Sequence, residues 1–87
     1  MPTISYFLGI RIYMYFDDHN PPHFHAVYQD FEAEFLLDGT LLRGSLPPKQ
    51  QKQVEVWADL HQTELVQNWA IAQGGTPVPL NRIPPLQ

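Results

Sequence analysis

The sequence predicts an α+β fold: a four-stranded antiparallel meander sheet, covered on one face by a long or kinked C-terminal helix and followed by a proline-rich tail. Three observations predict it. Apolar and polar residues alternate through the first half of the chain, short turn sequences separate the alternating segments, and a long later segment without proline or glycine carries apolar residues at helical spacing. We therefore expect one domain, with the sheet over 1–46, helical structure over 47–75 and an extended tail over 76–87.

The first main strand is predicted from residue 10 to residue 16, where alternate side chains are apolar. The apolar set is Ile10, Ile12, Met14 and Phe16, and the intervening set is Arg11, Tyr13 and Tyr15. Gly9 separates this strand from a short segment at 4–8. The connection 17–22 is predicted to be a stiff turn, because its two prolines lack the N–H donors that a strand needs.

The next two strands are predicted to form a hairpin around Gln29-Asp30. A two-residue turn there places Phe24 opposite Phe35 and Ala26 opposite Ala33. The apolar residues of both strands then share one face, whereas a slip by one residue would mix the two faces.

A second hairpin is predicted at Asp38-Gly39, a dipeptide typical of tight hairpin turns. A two-residue turn at this position places Leu42 opposite Phe35 and Leu46 opposite Phe31. The second hairpin therefore extends the apolar face that the first one predicts.

The same registers predict a polar face on the other side of the sheet. His25 falls opposite Glu34, and Glu34 falls opposite Arg43. Antiparallel pairing of the first two main strands brings further residues to this face, namely Arg11, Tyr13, Tyr15 and His23.

The helical region is predicted to begin near Pro47-Pro48 and to end at Gly74-Gly75. Its apolar stripe consists of Val54, Trp57, Ala58, His61, Leu65, Trp69 and Ala72. Val56, Leu60 and Ile71 lie off this stripe. The sequence leaves two explanations open: a kink within 59–63, or a second apolar face that binds a partner or a second copy of the chain.

Composition and charge narrow the classes of function. The net charge is −4 and cysteine is absent, which excludes disulfides and thiolate metal sites. The N-terminus lacks the order of a signal peptide, and no apolar run approaches the roughly 18 residues of a membrane span, so we expect a cytoplasmic protein without a membrane partner. The acidic sheet disfavours stable binding of nucleic acid and leaves nucleic acid as a candidate substrate.

The strongest candidate for a site is the histidine-rich connection at 17–25. His23 and His25 are two residues apart on a predicted strand, so both project from one face and are able to chelate a metal ion. Asp17, Asp18 or Glu34 is able to complete a set of two histidines and one carboxylate, and the candidate ligands are His23, His25, His19 and Asp18. Zinc, manganese or iron is the ion that such donors suit.

A metal-free chemistry is the alternative, with His25 as general acid or base at neutral pH. The candidate catalytic residues are His25, Glu34, His23, Arg43 and Tyr15. In this hypothesis Glu34 orients the histidine, and Arg43 or Arg11 contacts a phosphate. A purely structural role, as a polar sheet face with a rigid turn, also stays open.

Several segments carry a resemblance to a known family. The longest is Asp18–Ala26, and the others are Met1–Ser5, Gly9-Ile10, Met14–Phe16, Gly44–Pro47, Trp57-Ala58, Leu60-His61, Glu64-Leu65 and Asn68-Trp69. In these the chain resembles the small bacterial proteins called domain of unknown function 4160. The resemblance implies no site residues, because the family has no established activity. Its members are often encoded beside a protein called domain of unknown function 2442, similar to a toxin–antitoxin pair.

Two functions follow as hypotheses. The first is a protein-binding component of a two-gene, toxin–antitoxin-like module, whose partner is the small protein encoded by the neighbouring gene. The second is a histidine-based or metal-assisted hydrolase, with ribonuclease as its leading activity. The sequence favours the first, because it predicts no basic groove for a nucleic-acid substrate.

Overall fold

A computed structural model describes residues 2–75 and 78–87 of the chain. The elements are β1 (Thr3–Phe7), β2 (Ile10–Tyr13), β3 (His23–Tyr28), β4 (Phe31–Leu36), β5 (Leu41–Gly44), α1 (Pro48–Leu60) and α2 (Gln62–Ala72). The strands form one antiparallel sheet in chain order. The α+β class is confirmed, but the count of four strands was wrong because the sheet in the described part of the chain has five.

The additional strand, β1, comes from the short segment that precedes Gly9. Phe7 pairs with Ile10, so Leu8 and Gly9 form a two-residue turn, and both have positive φ values of 52° and 82°. Positive φ at both central positions is the conformation of a type I′ turn, one of the two turns that two-residue hairpins favour. Gly9 therefore marks a turn into an adjacent strand, and Ile4 and Phe7 of β1 join the core.

The first predicted hairpin is confirmed. Phe24 pairs with Phe35 and Ala26 pairs with Ala33, as the alternation of apolar residues predicts. These four side chains are buried against the helices. Because side chains alternate along a strand, the residues between them face the other side of the sheet.

The second hairpin differs from the prediction by one residue at its tip. The N–H of Leu36 donates to the carbonyl of Thr40 at 2.8 Å, which closes a three-residue loop, and Phe35 pairs with Leu41. The predicted pairing of Phe35 with Leu42 was therefore wrong. A shift of register, at an irregularity between Glu34 and Phe35, absorbs the difference.

The far end of this hairpin also differs from the prediction. Leu46 was expected opposite Phe31, but β5 ends at Gly44. Leu46 is buried in the core, whereas Phe31 is 43% exposed. That pairing was wrong because the chain leaves the sheet before it reaches Leu46.

The helical region is broken at His61, whose φ of −124° ends α1 and precedes α2. This break lies in the predicted interval 59–63, so the expected kink is confirmed. The kink does not bury the off-stripe residues Val56 and Leu60, which are 41% and 63% exposed, so an apolar face that binds a partner stays a prediction. The buried apolar residues of the helices that cover the sheet are Val54, Trp57, Ala58, Leu65 and Ala72.

The described part of the tail docks along β1 and the helices. The N–H of Ile83 donates to the carbonyl of Ile4 at 2.7 Å, and Trp57 Nε1 donates to the carbonyl of Pro84 at 2.9 Å. The part of the predicted tail at 76–77 lies outside the described residues. Neither helix of the described chain is long and apolar enough to cross a membrane.

Candidate functional site

A row of polar side chains crosses four strands on the face opposite the core. Tyr13 pairs with His25, His25 pairs with Glu34, and Glu34 pairs with Arg43. These registers agree with the prediction, since the shift in the second hairpin restores the pairing of Glu34 with Arg43. We call the side of the sheet that carries this row the polar face.

Asp18 reaches this face from the connection between β2 and β3. Its Oδ2 lies 3.0 Å from His23 Nε2 and 3.3 Å from His25 Nε2. The side chains are largely shielded from solvent, with exposures of 13% for Asp18, 2% for His23 and 10% for His25. We call these three residues the histidine–aspartate cluster.

The spacing within the histidine–aspartate cluster suits a single metal ion. One donor atom from each residue lies within 4.8 Å of the other two. Two ligand atoms bound at about 2.1 Å to one ion are roughly 3.0–3.4 Å apart in octahedral or tetrahedral geometry. The separations of the Asp18 oxygen from both histidine nitrogens fall in this range. A set of two histidines and one carboxylate also leaves coordination positions open for water or substrate.

The hydrogen bonding of His23 favours a cation at this point. His23 Nδ1 lies 2.7 Å from the carbonyl oxygen of Pro21 and donates to it, because a carbonyl only accepts. In the neutral ring this leaves the lone pair on Nε2, which faces the Asp18 carboxylate. Two acceptors at 3.0 Å repel each other unless a proton or a metal ion lies between them. Metal-bound histidines are often oriented by such a carbonyl.

The Asp18 carboxylate is held in its ionised form. Burial acts to raise the pKa of this carboxyl, but hydrogen bonds from His25 and from the backbone N–H of His19 oppose it, as does the positive charge of His23 and His25. The opposing contributions prevail, so the pKa of Asp18 lies below its ordinary value. An ionised carboxylate is the form that binds a metal ion.

Two tyrosines enclose the ring of His25. The Tyr13 ring stacks on it with centroids 5.1 Å apart, and the Tyr15 ring meets it edge-on at 4.7 Å. The Tyr13 hydroxyl donates to Glu32 Oε1 at 3.0 Å. Burial and this hydrogen bond raise the pKa of Tyr13 well above its ordinary range, so the hydroxyl remains a donor at neutral pH.

Glu34 and Arg43 border a cleft beside the cluster. Glu34 Oε1 lies 3.6 Å from His23 Nε2 and 3.9 Å from Arg43 Nε. The cleft has a volume of about 300 Å³ and is lined by Glu32, Ala33, Glu34, Arg43 and Gly44. Arg43 is 57% exposed, so its guanidinium is available to a ligand that enters the cleft.

His19 does not join the other predicted ligands. Its side chain is 79% exposed, and its Nδ1 lies 3.2 Å from Asp18 Oδ1, which is not the oxygen that faces His23 and His25. The backbone N–H of His19 donates to the same Oδ1 at 2.9 Å. His19 therefore helps to orient the carboxylate without facing the centre of the histidine–aspartate cluster.

Sequence reasoning missed the supporting residues around the cluster. Gln73 Nε2 donates to the backbone carbonyl of Asp18 at 2.9 Å, and the Trp69 ring lies 5.6 Å from the His23 ring. The first contact joins the end of the helical region to the connection between β2 and β3, and the second joins it to the start of β3. Nothing in local periodicity indicates either contact. The hydrogen bond of Tyr13 to Glu32 had a signal, because the predicted registers place both residues on the polar face.

Comparison with known proteins identifies a family of unknown function. The family model described as Domain of unknown function (DUF4160) matches residues 9–70, which is more than half of the chain and includes the whole histidine–aspartate cluster. No curated protein and no solved structure matches the chain. The resemblance is therefore confirmed, and any function has to be argued from the chain's own residues.

Proposed function

This protein belongs to the family Domain of unknown function (DUF4160), and from its geometry we propose that it is a metal-assisted hydrolase. Asp18, His23 and His25 hold the divalent ion, which is zinc, manganese or iron. One observation carries the proposal: the Nε2 atoms of both histidines converge on a single oxygen of Asp18. The sequence alone favours protein binding over hydrolysis, and this convergence is our reason for placing hydrolysis first.

The residues around the ion have separate roles in the proposed hydrolysis. A divalent ion with open positions lowers the pKa of bound water and stabilises negative charge on the substrate. When a phosphodiester is hydrolysed, the water oxygen bonds to phosphorus and the bond from phosphorus to the leaving ester oxygen breaks. Glu34 would accept the proton that water loses and return it to the leaving oxygen. Arg43 stabilises the charge on the phosphate, and Tyr15 forms an aromatic wall beside His25.

The charge of the polar face restricts the substrate. Glu32 and Glu34 line the cleft together with Arg43, so a long duplex would meet two carboxylates for each guanidinium. A short single-stranded RNA or a single phosphodiester presents fewer phosphates to these carboxylates. Such a substrate is the one to test first.

Metal binding is the first test. We expect metal-free protein to bind one equivalent of cobalt(II) or zinc, with the side-chain NMR signals of His23 and His25 shifting together. His23→Ala removes a ligand and should abolish this binding. His19→Ala is the matched control and should retain it, because His19 faces solvent. If wild-type protein binds no ion, the metal site is refuted, and an imidazolium–carboxylate pair in the histidine–aspartate cluster becomes the explanation of the geometry.

Hydrolysis is the second test. With the metal bound, wild-type protein should cleave a short RNA or a chromogenic phosphodiester. Glu34→Gln should lower kcat much more than it weakens metal binding, because Glu34 is not one of the three proposed ligands. Absence of cleavage across these substrates and all three ions would contradict the catalytic part of the proposal.

Protein binding is a second candidate function, and one observation favours it. Val56 and Leu60 lie one helical turn apart on α1 and are 41% and 63% exposed. They offer an apolar contact for the small protein encoded by the neighbouring gene, as in a two-gene toxin–antitoxin-like module. Co-expression of the two proteins tests this function. Co-purification that Leu60→Lys abolishes would support it, and a monomer that never co-purifies with that product would contradict it.

A further inference from the structure

We infer that Gln73 is a positioning residue for the proposed metal site: it fixes the connection between β2 and β3 against the end of α2, so that Asp18 faces His23 and His25. This inference rests on the proposed function. It extends the site to a residue that is 55 positions away in the chain from Asp18.

Two hydrogen bonds run in opposite directions between the connection and the end of α2. The backbone N–H of Asp17 donates to the carbonyl of Ala72 at 3.0 Å. Gln73 Nε2 donates to the backbone carbonyl of Asp18 at 2.9 Å. The first bond satisfies a carbonyl at the helix end, which has no partner within the helix. Together the two bonds hold the dipeptide that carries the carboxylate at both of its ends.

The connection needs such an anchor because it contains no strand. Asp17 has a φ of 53°, a left-handed conformation that costs free energy for a residue with a side chain. The backbone bond from Asp17 and the side-chain bond from Gln73 hold the chain in this turn. Without the Gln73 bond, the Asp18 carbonyl would be left to water and the carboxylate would sample more positions.

The end of α2 also favours a cation at this place. The carboxyl end of a helix carries partial negative charge, which stabilises a nearby positive ion. The contact between Asp17 and Ala72 brings this helix end to the residue adjacent to Asp18. A metal ion in the histidine–aspartate cluster and the docked end of α2 are therefore expected to stabilise each other.

A pair of substitutions separates the hydrogen bond from simple electrostatics. Gln73→Glu keeps the length of the side chain and replaces the donor by an acceptor, whereas Gln73→Lys keeps a donor. Charge alone predicts that the glutamate tightens metal binding and the lysine weakens it. The positioning role predicts the reverse order: a Kd for cobalt(II) that rises roughly three- to tenfold in Gln73→Glu and stays near the wild-type value in Gln73→Lys.

A second readout requires no metal. Amide ¹⁵N relaxation of residues 17–19 should show greater motion in metal-free Gln73→Glu than in wild-type protein, and no such change in Gln73→Lys. Both variants are expected to fold, because the Gln73 side chain is exposed and follows α2.

The outcomes distinguish the inference from the proposed function. If wild-type protein binds no cobalt(II), the metal site is refuted, and increased motion of 17–19 in Gln73→Glu would still support the positioning of Asp18 by Gln73. If Gln73→Glu binds cobalt(II) as tightly as wild-type protein, or if the motion of 17–19 is unchanged, the inference is overturned.

Discussion

The two faces of this sheet are built from adjacent residues of the same strands, and they differ in what their side chains require of their neighbours. Phe24 on the core face stacks on Phe35 with ring centroids 5.6 Å apart and meets Trp57 edge-on at 5.7 Å. His25, the next residue, faces Tyr13, Tyr15 and Asp18 on the polar face. Apolar packing requires volume and contact, whereas the histidine–aspartate cluster requires particular atoms at particular distances.

This difference separates stability from chemistry along a single strand. A residue of the core face contributes through its burial, which is not directional. A residue of the histidine–aspartate cluster contributes through one oriented atom, and replacing it leaves much of the fold in place. Substitutions at neighbouring positions of β3 are therefore expected to affect different measurements.

The largest effect on stability is expected at Phe24, which is fully buried. Phe24→Ala should lower the free energy of unfolding by about 3–5 kcal/mol, because it leaves a cavity between the sheet and Trp57. Chemical denaturation monitored by tryptophan fluorescence measures the change. Where the variant still folds, its affinity for cobalt(II) should remain near that of wild-type protein. A loss of metal binding by the folded fraction would show that the two faces are coupled.

At His25, the residue after Phe24, the main effect of substitution is expected on metal binding. His25→Ala should weaken the binding of cobalt(II) by more than about a hundredfold, because the loss of a ligand exceeds the usual effect of altering a residue behind a ligand. Its free energy of unfolding should fall by less than that of Phe24→Ala. Isothermal titration calorimetry and denaturation of both variants test this contrast. Equal losses of stability with intact metal binding would contradict the distinction between the faces.

The pairing of the strands was easier to predict from the sequence than the contacts that build the histidine–aspartate cluster. Alternation fixed the pairing of Phe24 with Phe35, and the same register then placed His25 opposite Glu34. The predicted pairing of Phe35 with Leu42 was wrong, because Asp38-Gly39 does not specify whether the loop contains two or three residues. The orientation of Asp18 and its support by Gln73 depend on contacts between distant parts of the chain, which periodicity does not encode.

An intermediate effect on the free energy of unfolding is expected at Tyr13. Its hydroxyl and its ring contact different partners on the polar face. Tyr13→Phe removes the hydrogen bond to Glu32 and keeps the ring against His25. We expect a loss of about 1 kcal/mol in the free energy of unfolding, because one hydrogen bond is removed. The affinity for cobalt(II) should not change. A weaker affinity in Tyr13→Phe would mean that the hydroxyl, rather than the ring, orients His25.

The smallest effect on the free energy of unfolding is expected at the turn between β4 and β5. This turn helps to set the strand register on both faces of the sheet. The backbone N–H of Thr40 donates to Asp38 Oδ1 at 2.9 Å, and hydrogen bonds from Thr40 hold the pKa of the Asp38 carboxyl below its ordinary value of 3.8. Since the pKa is lower in the folded state, ionised Asp38 stabilises the fold above pH 3.8. That contribution is lost as the pH falls through the lower pKa of the folded state.

Asp38→Asn tests this turn, because its side-chain oxygen still accepts from Thr40 and does not titrate in this range. The difference in the free energy of unfolding between the two proteins should be constant above about pH 5, and wild-type protein should lose stability relative to the variant below about pH 4. Urea denaturation across this range measures the difference. If both proteins lose stability in parallel, the turn depends on the backbone hydrogen bond from the N–H of Gly39 to the carbonyl of Leu36. The register of β4 with β5 would then not depend on the Asp38 carboxylate.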